Sequence, residues 1–187
     1  VAGAIAKQLL KQYGVEIFSF VESIGGVEGS GDLYQKLLNK EEVDFKNLMD
    51  LAEASELRVT EPELETHLKE KIREAKKEGN TLGGTFAVIA KGLITGVGSF
   101  VHYDKKLDAA LSHSIMSINA VKGVEVGAGF ATAINPGSEV HDEIIISNGS
   151  IIRKTNRAGG IEGGTSNGED ILLRAAMKPI ATLMMPL

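Results

Sequence analysis

Apolar residues at Ala2, Ile5, Ala6, Leu9 and Leu10 recur at helical spacing, with Lys7, Gln8, Lys11 and Gln12 opposite them. This predicts an amphipathic helix over residues 1–10, ended by Gly14. Residues 15–21 are rich in β-branched and aromatic side chains and predict a strand that Gly25 and Gly26 close. Between Glu41 and Glu78 the chain is highly charged, with Val43, Leu48, Leu51, Leu64, Leu68 and Ile72 three or four residues apart, the pattern of surface helices. One of these should start with Thr60 as N-cap, Pro62 in the first turn and Glu63 as capping-box partner, and stop at Gly79-Asn80.

Residues 85–98 read as a strand whose glycines signal a bulge or a close backbone approach. Residues 104–118 read as a helix with Leu107, Leu111 and Ile115 inward. Residues 120–130 return to strand alternation, with Val121, Gly123 and Glu125 on one side and Lys122, Val124 and Val126 on the other. Isoleucines 144–146 and 151–152 flank Asn148-Gly149, a type I′ hairpin signal. Glycines 159, 160, 163, 164 and 168 crowd a loop, and residues 170–183 fit an edge or core strand with Arg174 and Lys178 on one face. Mixed α and β is the class, and no linker or repeat divides residues 1–187, so one domain is expected.

Composition sharpens this picture. With 43% hydrophobic and 24% charged residues, the chain can bury a sizeable core. A net charge of −5 argues against a nucleic-acid partner. Local cations such as Lys122, Arg153, Arg157, Arg174 and Lys178 could still hold a small anion, which responds only to local potential. Cysteine is absent, which removes disulfides and thiolate metal sites and is compatible with a reducing compartment. No apolar run approaches about 18 residues, so no transmembrane helix or membrane partner is predicted. Val1 in place of a Met, and the apolar string after Leu183, read as ends cut from something longer.

Candidate chemistry is sparse. Gly159-Gly160-Ile161-Glu162-Gly163-Gly164 is not the dinucleotide fingerprint, and by itself it reads first as a structural turn and second as a loop that lets N–H groups approach an anion. Glu162, Thr165, Ser166 and Asn167 are the polar groups in it. Lys178, Pro179, Ile180, Ala181 and Thr182 offer an ammonium, a hydroxyl and backbone donors for a phosphate, or simply a strand end with a solvated lysine. His67, His102, His113 and His141 form no His-x-x-x-His pair, and His141-Asp142-Glu143 reads better as a strand entrance than as a metal site, so no metal is expected.

Six strings in order carry a resemblance. They are Ala2-Gly3-Ala4-Ile5-Ala6-Lys7, Met116-Ser117-Ile118-Asn119-Ala120-Val121-Lys122-Gly123-Val124-Glu125 and Gly137-Ser138-Glu139-Val140-His141-Asp142-Glu143. The others are Thr155-Asn156-Arg157-Ala158-Gly159-Gly160-Ile161, Gly163-Gly164-Thr165-Ser166-Asn167-Gly168 and Lys178-Pro179. Together they resemble chorismate synthase, essentially from end to end, with little signal in residues 41–78.

That resemblance implies an α+β fold with helices sandwiched between antiparallel β-sheets, incomplete at both ends, and a cytoplasmic homotetramer. It implies a lyase of the shikimate pathway of aromatic amino acid biosynthesis, which eliminates phosphate from 5-enolpyruvylshikimate 3-phosphate using reduced FMN, with NADPH only as an indirect reductant. It assigns Asn119, Ala120 and Gly163 to the flavin, and Lys178, Pro179, Ile180, Ala181 and Thr182 to its phosphate. Thr165 replaces a frequent isoleucine, and Ile180-Ala181 stands where a second hydroxyl is common. The family's implicated histidines would precede Val1 and its aspartate would follow Leu187, so the catalytic residues are expected outside this chain and the isolated piece is expected to be inactive. The competing expectation is a non-catalytic anion-binding or oligomerisation module of the same ancestry.

Overall fold

The structure, a computed structural model, describes residues 1–30, 32–147 and 149–184. Its frame is a five-stranded antiparallel sheet of order β2-β1-β3-β9-β4. The strands are β1 (Glu16–Ile24), β2 (Val27–Glu28), β3 (Gly84–Lys91), β4 (Val121–Val126) and β9 (Ile171–Met177). Two hairpins stand outside it, β5 (Ile144–Ser147) with β6 (Ser150–Arg153), and β7 (Ile161–Glu162) with β8 (Thr165–Ser166). The helices are α1 (Ala2–Gln12), α2 (Leu33–Leu38), α3 (Phe45–Ala54), α4 (Pro62–Lys77), α5 (Leu107–Met116) and α6 (Gly137–Val140). The α+β class and antiparallel pairing expected from sequence are what the structure shows.

Strand alternation supplies both faces of the sheet with apolar groups. Phe18, Phe20, Ala87, Ile89 and Leu172 meet Tyr34, Leu37 and Leu38 of α2 and Ala52 of α3. The opposite parity, Val88, Ala90, Ile171, Leu173 and Val126, meets Leu107, Leu111 and Ile115 of α5, the three inward positions its periodicity predicts. Among the described residues the helices therefore cover both faces of this sheet. Leu64 and Leu68 of α4 pack with Val59 near Val21 and Ile24 of β1.

Several sequence expectations shift. The N-cap of α4 is Glu61, without a side-chain cap bond, while Thr60 is buried one residue earlier. Its end behaves as predicted: Gly79 adopts φ +67, and the Asn80 N–H reaches the Ala75 carbonyl at 2.8 Å. Strand β3 stops at Lys91, because Gly92 turns at φ +80 where a Cβ would lie 2.2 Å from the Gly14 carbonyl oxygen. Lys122 is an extra residue between the Val121–Met177 and Gly123–Ala176 pairs, so the simple alternation of β4 breaks there. Strand β9 ends at Met177, so Lys178 lies beyond it rather than sharing a strand face with Arg174. The isoleucine hairpin forms with Ser147 opposite Ser150, and Gly149 takes φ +77; Asn148 lies outside the described residues.

Candidate functional site

The turn between α5 and β4 holds Asn119 and Ala120, and Ala120 has a positive φ of 71°. A non-glycine residue in this region is strained unless its surroundings enforce it. Here the Lys178 N–H donates to the Ala120 carbonyl at 2.9 Å, tying the end of β9 to this turn. The chain then runs past residues 79–83: the Thr81 hydroxyl donates to the Ile180 carbonyl at 2.7 Å, and the Met184 N–H to the Gly79 carbonyl at 3.1 Å. Lys178, Pro179, Ile180, Ala181 and Thr182 are all exposed. The structure thus brings Asn119 and Ala120 beside the 178–182 segment.

Gly163 is not part of that group. It occupies the β7–β8 turn at φ +59, with open space where a Cβ would stand. The carbonyl of its neighbour Gly164 accepts from the Leu107 N–H at 2.8 Å, at the start of α5, whereas Ala120 follows the end of α5. Ten helical residues separate the two places, about 15 Å.

The crowded glycines nearby serve packing. A Cβ on Gly127 would lie 2.1 Å from the Arg157 carbonyl oxygen, and one on Gly159 would lie 2.3 Å from the Gly127 nitrogen, so these two backbones touch directly. The polar groups of the loop are likewise committed. Glu162 takes a two-pronged bond from Arg153 at 2.9 and 2.7 Å, which holds its carboxyl below the usual carboxylate range. Thr165 donates to the Glu162 carbonyl, and Ser166 donates to the Ile94 carbonyl while accepting the Val97 N–H.

Asp142 also has a structural partner set. Its carboxylate accepts the Thr155 hydroxyl at 2.5 Å, the Arg157 N–H at 2.8 Å and the Ala158 N–H at 2.9 Å. Glu143 pairs with Lys154 at 3.1 Å. Among the described residues no three His, Cys, Asp or Glu side chains are placed to share a metal, and no helix is long and apolar enough to cross a membrane.

A site that sequence reasoning missed surrounds Arg174. The β1 bulge at Glu22 aims this carboxylate at Arg174, 3.0 Å away, with Glu125 at 3.7 Å and the Tyr34 ring 5.0 Å from the guanidinium carbon. The Tyr34 hydroxyl donates to the Gly127 carbonyl at 2.9 Å. Burial raises the Glu22 carboxyl above its ordinary value, against the pull of Arg174, and burial likewise raises the Tyr34 phenol. A cavity of about 390 Å³ opens beside them. The one sequence signal was an arginine inside the otherwise apolar run of β9. Of the five cations considered for an anion, Arg153 and Arg174 are neutralised by acids; Lys122, Arg157 and Lys178 have no side-chain partner among the described residues.

The family model for chorismate synthase matches residues 1–187. The chain belongs to the chorismate synthase family. It is 50% identical over 186 residues to the chorismate synthase of Alkaliphilus metalliredigens, covering 99% of this chain and 46% of that protein. It is 46% identical to that of Geobacter sulfurreducens, covering 99% and 47%. A crystal structure of chorismate synthase superposes with a TM-score of 0.87 at 42% identity, over 95% of this chain and 53% of that one. The chain therefore spans about half the length of the curated chorismate synthases it matches. Within this frame, the family strings at residues 137–143 and 155–161 meet each other through Asp142, and those at residues 116–125 and 178–179 meet through Ala120 and Lys178.

Proposed function

We propose that these residues form the flavin-phosphate end of a chorismate synthase, which removes phosphate from 5-enolpyruvylshikimate 3-phosphate by anti-1,4-elimination to give chorismate. The supporting observation is the hydrogen bond from Lys178 to Ala120, which joins two of the three strings that the resemblance assigns to the cofactor, the third being that of Gly163. A phosphate group fits the place: the Lys178 ammonium is exposed and has no acid partner among the described residues, and Thr182 adds a hydroxyl. Ile180 and Ala181 contribute only backbone N–H, and Pro179 contributes no donor. Lys178 thus holds the cofactor phosphate by charge, with Ala120 and Asn119 beside it. The chemistry supplied by reduced FMN when bound is transient electron density for the departing allylic phosphate, without net redox change.

The same reading places the protein in the cytoplasm as a homotetramer acting at the last step of the shikimate pathway, with NADPH serving only to reduce the flavin and residues 1–187 acting as one domain. It leaves the four histidines of this chain without a role in proton transfer, so residues 1–187 alone should bind reduced FMN without turnover. Anaerobic titration of reduced FMN, with and without 5-enolpyruvylshikimate 3-phosphate, tests this by flavin absorbance and phosphate release. Binding that Lys178→Met weakens about tenfold, with no phosphate released, is the expected result. Phosphate release would show that the acid and base groups lie within these residues, and absence of binding would sink the cofactor assignment.

A further inference from the structure

Arg157 is the partly buried arginine whose guanidinium has no side-chain partner among the described residues, and it lies at the opposite end of the sheet from Lys178. The Gly159 carbonyl accepts from the Leu172 N–H near the start of β9, whereas Lys178 follows its end. Six residues of strand separate these points, about 20 Å. Two cavities, of about 440 and 300 Å³, meet at Arg157, and Thr132 and Val140 also line both.

The backbone that carries Arg157 is held rigidly. Asp142 binds the N–H groups of Arg157 and Ala158, the Asn156 amide binds the Asp170 carbonyl, and the Gly127 backbone abuts the Arg157 carbonyl. Asp142 is thus committed to backbone donors and the Thr155 hydroxyl rather than to the Arg157 guanidinium, and Arg153 pairs with Glu162 in the same cavity. The Arg157 guanidinium therefore keeps its donors free of any side-chain partner among the described residues, with His141 lining the same cavity as a further donor. Glu139 lines the other cavity together with Arg157, and the amides of Asn39 and Asn135 and the hydroxyl of Thr132 add hydrogen-bonding groups there. A guanidinium on a fixed backbone at the junction of two cavities suits a planar two-point grip on an oxyanion.

We propose that Arg157 is the anchor of a second anion site, distinct from the segment assigned to the flavin phosphate, and that it takes a small hydroxylated molecule bearing a phosphate monoester or a carboxylate. Arg157 grips the oxyanion, and Glu139 with the nearby amides accepts from or donates to the hydroxyls of the ligand.

The test follows the Arg157 Nε–H and Ala158 N–H resonances while glycerol 3-phosphate or glycerate is titrated into the protein. Both resonances should move and saturate with at least one ligand, and the ligand that saturates at lower concentration identifies the oxyanion. Arg157→Met should weaken the response of Ala158 at least tenfold without changing the thermal midpoint, whereas Arg157→Lys, which keeps the charge and loses the fork, should weaken it less. Lys178→Met should leave the Arg157 response unchanged, which separates this site from the flavin reading. Shifts that never saturate with either ligand, or an Ala158 response untouched by Arg157→Met, would overturn the proposal.

Discussion

Asn156, only 2% exposed, ties three distant parts of the chain together. Its side-chain amide donates to the Asp170 carbonyl at 2.7 Å and accepts the Gly160 N–H at 2.8 Å, while its own N–H reaches the Leu38 carbonyl at 2.7 Å. Asn156→Ala leaves a buried carbonyl and a buried N–H without partners, at about 1–3 kcal/mol each. Urea unfolding should show a loss of about 3 kcal/mol, and a loss under 1 kcal/mol would mean that water replaces the amide. Sequence reasoning placed Asn156 in a family string without seeing this role, because Leu38 and Asp170 lie far from it along the chain. The same blindness explains Thr60 and Glu61. Local rules favoured threonine as cap, but tertiary packing buried Thr60 and set Glu61 against Ser30, whose N–H and hydroxyl both donate to its carboxylate. Conversely, the ammonium of Lys178 and the hydroxyl of Thr182 were legible directly from residue type, whereas the bond that sets Lys178 beside Ala120 was not.

At the scale of elements, local periodicity foretold α4, α5 and the isoleucine hairpin, whose patterns are carried by contiguous residues. It could not foretell the bulges in β1 and β4, which exist only because a partner strand counts one residue fewer. The bulge at Glu22, which turns this carboxyl into a largely buried place, has a measurable effect. Burial raises the Glu22 carboxyl above 4.5, so the folded state holds that proton more tightly than the unfolded state does. Its contribution to stability therefore falls as pH rises from 4.5 towards the folded-state value. Comparing wild type with Glu22→Gln by chemical unfolding across pH cancels the other titrations. The difference should move against wild type with rising pH from about 4.5, and a difference independent of pH would show that Glu22 is not the source.

At the scale of the whole molecule, a good deal of apolar surface faces solvent. Ile5 and Leu9 of α1 and Tyr13 at its end are 65%, 59% and 74% exposed, and the isoleucines at 144, 146 and 151 on the β5–β6 hairpin are exposed as well. Strands β2 and β4 are open edges of the sheet among the described residues. Such surfaces and edges favour association. Sedimentation at micromolar concentration should give species larger than a monomer, and Leu9→Glu should shift them towards the monomer. A monomer at every concentration would sink this expectation.

The place of β9 in the sheet has a consequence for how the protein is made. It lies between β3 and β4 yet follows both in sequence, pairing Gly84 with Met177. As residues leave the ribosome in order, β3 and β4 must wait with a vacant lane between them until the last strand of the sheet is synthesised. Closing such a long loop is slow, because its entropy is lost before the new pairing repays it. Between the synthesis of β4 and that of β9 the nascent chain therefore shows the facing edges of β3 and β4 unpaired, the stage at which a chaperone has the most to shield.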